Sequence, residues 1–198
     1  MKVLIACEFS AVVRDAFEKA GHDATSCDLD PSEKQGKHYQ GDVRDLLNEY
    51  WDLMIAFPPC THLAASGARH FEQKRKDGRQ KEAIDFFLQL ANADIPKIAI
   101  ENPIGIMQYH YKKHSQLIHP WQFGHKMSKS TCLWLKNLPC LVPTNIVEKG
   151  EFVTLPNGSR MSKWYYEASN KPAKERTKLR NTTFSGIAAA MAEQWGKE

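Results

Sequence analysis

Trp51-Asp-Leu-Met-Ile-Ala-Phe-Pro-Pro-Cys60 decides the fold. Its apolar run reads as a buried strand, and the two prolines cannot continue a ladder, so the chain turns stiffly and leaves a thiol at the strand's end. A second run, Pro96-Lys-Ile-Ala-Ile100, closes on Glu101-Asn102-Pro103 and leaves a carboxylate in the same kind of place. In a parallel α/β sheet the carboxyl ends of the strands share one edge, so this thiol and this carboxylate are expected to face a common crevice. Together they suggest covalent attack on a base.

Outward from these runs, short apolar segments alternate with helix-period segments. Lys2 to Ala6, Ala24 to Cys27, Leu53 to Phe57, Ile98 to Ile100 and Cys132 to Leu135 read as strands. Val12 to Ala20, Lys81 to Ala91 and Gly186 to Trp195 read as helices. Strands separated by helices argue for a doubly wound α/β sheet with right-handed crossovers and ligands at its carboxyl edge.

The chain has 198 residues with 42% hydrophobic content, enough for one domain, 1–198, with a sizeable core. Five cysteines without paired close spacing do not read as a disulfide framework, and no His and Cys group has good zinc spacing, so no structural metal is expected. No apolar run is long enough for a bilayer, and Met1-Lys2 leads straight into a strand-like run. A cytoplasmic protein with no membrane contact is the expectation. Its net charge of +4 is mild, consistent with a polyanion partner without requiring one.

Between Pro139 and Thr183 the pattern changes to short segments punctuated by prolines. Lys171, Lys174, Arg176, Lys178 and Arg180 crowd one stretch against Glu175, just after Trp164-Tyr165-Tyr166. Cations for phosphates and aromatics for bases suit a single-strand or flipped-base surface. A solvated basic loop over an aromatic anchor is the alternative. Arg69 to Gln80, also basic and with Gly78, follows the thiol as a candidate lid.

In their order along the chain these features resemble the cytosine-C5 DNA methyltransferases. Val3-Leu-Ile-Ala6 and Val12 to His22 look like that family's first strand and helix, Cys27-Asp-Leu-Asp-Pro31 like the acidic end of its second strand, and Gly41-Asp-Val-Arg-Asp45 like its third cofactor motif. Pro59-Cys60 and Glu101-Asn102 match its catalytic pair, and Phe184 to Gly196 its closing helix. The resemblance implies a Rossmann-like methyltransferase fold that uses S-adenosylmethionine. Residues 139–183 would be a shortened target-recognition segment and 184–196 the closing helix. Phe9, Asp28, Asp42, Val43 and Pro58 would contact the cofactor, with the two acids at the ribose hydroxyls and the adenine.

The same resemblance implies the chemistry. Carbon 5 of cytosine is a poor nucleophile, so the Cys60 thiolate adds at carbon 6 to make an enamine-like adduct that accepts a methyl group. Glu101, with a raised proton affinity, stabilises the charge pushed onto the ring, and Asn102 holds the loop. A free thiol has a pKa of roughly 8.5, so Cys60 needs a positive field, for which His62, Arg69, Lys126 and Lys129 are candidates. Lys129, just before the strand at Cys132, matches the family's later basic position. The chain departs from the family at Ala6-Cys7-Glu8-Phe9-Ser10-Ala11, where a Gly-rich turn is usual. There Cβ atoms at Ser10 and Ala11 are expected to restrict positive φ and close approach. The short recognition segment leaves single-stranded DNA, RNA or dCMP open as substrates beside duplex DNA, and a non-catalytic nucleic-acid-binding role is the remaining alternative.

Overall fold

In the computed structural model, which describes residues 1–197, β1 (Lys2–Ala6) is buried on both sides. Val3 and Ile5 enter one core and Leu4 and Ala6 the other, the consequence of a period of two between two helical layers. On the first side α1 (Val12–Lys19) sets Val13 and Phe17 against the sheet. After β2 (Asp23–Asp28) and the short β3 (His38–Gln40) come β4 (Leu53–Ala56), α2 (Phe71–Lys76) and α3 (Arg79–Ala91). Helix α3 covers the second side with Phe87 and Leu90. Then follow β5 (Lys97–Asn102), α4 (Met107–His110), β6 (Gln116–Ile118) and β7 (Thr131–Lys136). A hairpin of β8 (Phe152–Thr154) and β9 (Arg160–Ser162), α5 (Lys163–Ser169), α6 (Ala173–Asn181) and α7 (Ser185–Trp195) complete the chain. Helix α7 returns to the α1 side, burying Ile187, Met191 and Trp195 there.

The seven-stranded sheet has the order β3-β2-β1-β4-β5-β7-β6. Strands β1 to β5 pair in parallel, and β7 runs antiparallel between β5 and β6. This is a doubly wound, Rossmann-like α/β fold, and its strand order reverses between β1 and β4. Ligand crevices open at such a switch point, beyond the carboxyl ends of the strands. Register places the ends of β4 and β5 side by side, Ala56 opposite Ile100. No helix among the described residues is long and apolar enough to cross a membrane.

The strands and helices read from sequence are present with small changes of boundary. Strands β3 and β6, three residues each, escaped because His38-Tyr-Gln40 is polar and Gln116-Leu-Ile118 is too short to show a period. The Pro139 to Thr183 stretch contains a hairpin and two helices. Arg69 to Gln80 runs through α2 into α3. Lys74 donates to the Thr61 carbonyl at 2.6 Å and Gln80 to that of His62 at 3.3 Å, fastening the segment to the turn after Cys60.

Candidate active site

The Pro-Pro-Cys turn is held by its own backbone. Leu63 and Ala64 both donate to the Cys60 carbonyl, at 3.0 and 2.9 Å, and the Asn102 side chain donates to the buried Pro58 carbonyl at 2.9 Å. Asn102 thus ties the turn after β4 to the end of β5. A second tie lies beyond it, where Ala64 and Gly105 form an antiparallel bridge, Ala65 donates to Ile104 at 2.9 Å and Ile106 to Leu63 at 3.0 Å. A Cβ at Gly105 would collide with the Leu63 carbonyl, so glycine is needed for this approach. The sequence reading passed over Gly105, whose signal was only its place three residues after Asn102.

This stitching brings Cys60 and Glu101 together. Burial raises the Cys60 thiol pKa, the Glu101 charge raises it further, and Arg180 and Lys129 pull it down. Burial also raises Glu101, against the opposing pull of Lys129. Three other cysteines lack that cationic help. Cys7, Cys27 and Cys132 are raised by burial and then by carboxylates, Cys27 to about 12 and Cys132 to about 11. Cys60 is therefore the best placed of the four to ionise.

Of the four expected activators, Lys129 acts on the thiol through its charge, and Lys126 and Arg69 are engaged elsewhere. Lys126 pairs with Glu148 at 3.3 Å and Arg69 donates to His70 at 3.0 Å. Burial, and then the charges of Lys74 and Arg79, lower the His62 pKa, so it is neutral rather than a source of positive field. The second cation is Arg180, which the sequence reading grouped with phosphate-binding residues. It lies at the end of α6, its guanidinium 4.6 Å from the Tyr165 ring centroid. Its carbonyl accepts from Lys129 Nζ at 2.9 Å. Lys129 also lies over the Phe184 ring at 5.9 Å, and Trp164 packs against Phe184 at 5.7 Å. The aromatics expected to stack on bases thus in part build the wall behind the two cations. Most of the basic run is likewise engaged within the protein: Lys171 pairs with Glu175 at 3.1 Å, Lys178 with Glu33 at 2.5 Å, and Arg176 donates to the Ser169 carbonyl at 3.3 Å.

The expected cofactor residues divide. Asp28, Asp42 and Val43 line a cavity of about 230 Å³ with Cys7, Leu29 and Phe86, and Pro59 at its edge sets it next to Cys60. Phe9 and Pro58 are not among its lining residues. Pro58 is buried, with its carbonyl accepting from Asn102, while the Phe9 carbonyl accepts from Glu33 at 2.9 Å. Phe86, on α3, replaces them as an aromatic wall that the sequence reading missed. The volume is below the roughly 300–1,000 Å³ of pockets that enclose a whole small ligand, and suits a nucleoside-sized part. Burial raises Asp28, whose Oδ1 accepts from the Asp30 backbone at 3.0 Å. Asp42 is tied to Arg44, accepting from its backbone N–H at 2.9 Å and pairing with its guanidinium. An acid for ribose hydroxyls beside the apolar Leu29, Val43 and Phe86 fits the nucleoside half of S-adenosylmethionine.

The glycine-poor turn behaves otherwise than expected. Ala11 and Cys7 both adopt a φ of 60° despite their Cβ atoms. Glu8 supports this, because its carboxylate accepts from the backbone N–H groups of Val13 at 2.7 Å and Arg14 at 3.2 Å, and from the Ser10 hydroxyl at 3.2 Å. The first turn of α1 is thus capped from within, and the left-handed conformation is offset by satisfied buried donors.

No family model matches this chain, and no curated protein does. A solved structure of the Entamoeba histolytica methyltransferase EhMeth is similar at 14% identity with a TM-score of 0.49, over 78% of this chain and 58% of that one. The chain thus spans less than two thirds of the length of that protein.

Proposed function

We propose that this protein transfers a methyl group from S-adenosylmethionine to carbon 5 of cytosine in DNA. What supports the reading is that Cys60 and Glu101 follow or end adjacent strands tied by the Asn102 bond to Pro58, that the charges of Glu101, Arg180 and Lys129 bear on the thiol, and that Pro59 beside Cys60 lines a nucleoside-sized cavity. Bound S-adenosylmethionine supplies an electrophilic methyl group. Asp28 holds the ribose, and Leu29, Val43 and Phe86 enclose the adenine.

Cys60 adds through Sγ to carbon 6 of the ring as a thiolate favoured by the two cations. Protonated Glu101 donates at N3 and receives from the exocyclic amine, which stabilises the electron density displaced by that addition. Its burial suits this role by keeping the proton on. Asn102 fixes the distance between nucleophile and acid through Pro58. Transfer to carbon 5 would leave S-adenosylhomocysteine; a water then takes the carbon 5 proton, Sγ of Cys60 departs as the thiolate and N3 returns its proton to Glu101, which restores aromaticity.

The test is methyl transfer from labelled S-adenosylmethionine to duplex DNA, single-stranded DNA, RNA and dCMP, with digested products identified by mass spectrometry. Wild type makes 5-methylcytosine, and Cys60→Ser lowers the rate by about 10⁴-fold or more while leaving cofactor affinity in a calorimeter unchanged. Retained activity in Cys60→Ser would rule out the covalent route. A chain that binds no cofactor and methylates nothing would turn the reading to a binding protein built on a methyltransferase fold.

A further inference from the structure

From Asn102 to Val147 the chain has no Asp or Glu, yet it carries Lys112, Lys113, Lys126, Lys129 and Lys136 and four histidines. Those five lysines exceed the net charge of +4 for the whole chain, so the rest of the protein is net negative. Segregated charge of this kind gives one region a field that attracts polyanions.

The segment starts at the catalytic crevice. It leaves β5 after Glu101, crosses the Ala64–Gly105 bridge and runs through α4 to β6. Three of its lysines are used inside the protein: Lys129 on the Arg180 carbonyl at 2.9 Å, Lys126 against Glu148, and Lys136 on the Ala93 carbonyl at 3.1 Å. Lys112, whose Nζ lies 5.0 Å from the Tyr111 ring centroid, and Lys113 are exposed and without a carboxylate partner among the described residues. Between them and the crevice Ile104 is 46% exposed and Tyr109 80% exposed, large side chains that add little to the core. The backbone beneath them is fixed. Tyr109 donates to Ile106 at 2.8 Å, Tyr111 packs on Phe87 at 6.1 Å, and the Trp134 indole donates to the Lys112 carbonyl at 2.7 Å.

We infer that Ile104 to Lys113 is a binding surface for single-stranded nucleic acid, which carries the strand away from the target base. Tyr109 stacks on an unpaired base, and Lys112 and Lys113 neutralise phosphates. A single strand is the occupant because only an unstacked base offers a face to Tyr109. The surface also meets a need that α6 leaves open, since Lys178, Arg176 and Arg180 of that helix are held by Glu33, Ser169 and Tyr165. The inference depends on the proposed cytosine chemistry only for the position of the target base.

Fluorescence anisotropy of a labelled cytosine-containing single-stranded oligonucleotide, titrated with protein over a salt series, tests it without cofactor or turnover. Lys112→Gln/Lys113→Gln weakens binding at low salt and reduces the steepness of the log affinity against log salt plot by about 1.4, at about 0.7 per phosphate contact. Tyr109→Ala weakens binding about tenfold and leaves the slope unchanged, as expected for stacking. Both variants keep the wild-type melting temperature and rate of Cys60 alkylation by iodoacetamide. Wild-type affinity and slope in both variants, equal affinity for a duplex of the same sequence, or no binding by the wild type would each overturn the inference. Tight binding by Cys60→Ser and wild type alike, with no methyl transfer by either, supports this surface while refuting the proposed reaction.

Discussion

The turns after β1 and β4 solve one mechanical problem with opposite means. Both must bend the chain sharply at the carboxyl edge of the sheet. After β4 the bend comes from residues suited to it: two prolines preset the backbone and Gly105 lets the neighbouring loop approach. After β1 it comes from Cys7 and Ala11, which adopt a left-handed conformation that ordinary side chains disfavour, and Glu8 compensates by capping α1. The turn after β4 is held by shape and the turn after β1 by a buried carboxylate. The Cys60 side of the sheet edge is thus prepared in the backbone, whereas the turn after β1 depends on side-chain partners that it supplies to itself.

Substitution of Glu101 should have the largest effect on this contrast. Glu101→Gln is expected to lower methyl transfer by about 10²- to 10⁴-fold, measured with the labelled cofactor. It also changes the response to pH. Burial raises the Glu101 pKa, so the folded chain holds that proton more tightly than the unfolded one. Stabilisation from this source is complete below the ordinary glutamate range and is lost as pH rises through the raised value. Melting temperatures compared across pH should therefore show wild type losing ground to Glu101→Gln from acid toward neutral. Parallel curves would mean that Glu101 titrates as an ordinary surface acid.

Next in size is Arg180→Gln. Removing a cation that lowers the Cys60 pKa should move the pH profile of iodoacetamide alkylation upward and slow the reaction at neutral pH. Arg180→Lys should restore most of the rate, a rescue that a merely packing role would not give. The smallest effects compare the turns directly. Gly105→Ala should destabilise by about 1–3 kcal/mol, because the Leu63 backbone must shift. Ala11→Gly should change stability by no more than about 1 kcal/mol, the relief of a left-handed alanine being partly cancelled by a more flexible unfolded chain. Both are read by denaturant unfolding. A larger loss at Ala11 than at Gly105 would reverse the contrast.

The same contrast explains what could be read from the sequence. Apolar runs flanked by turn residues made β1, β4, β5 and β7 legible, because strands buried on both faces carry few polar positions. Cys60 and Glu101 followed from their places at the ends of two such runs. The conformation of Ala11 was not legible, since it depends on Glu8 reaching the first turn of α1. Nor was the division of labour among the cations: Arg180 and Lys178 are two residues apart on α6, yet one bears on Cys60 and the other pairs with Glu33. A run of like charges reveals its sum, whereas the individual partners depend on tertiary packing.

The bridge between Ala64 and Gly105, with the Asn102 bond to Pro58, fastens the loops of nucleophile and acid into a single piece. Thermal motion of the crevice then displaces Cys60 and Glu101 in concert. The surrounding loops can then move while the spacing of these two side chains stays set, so access and alignment vary independently.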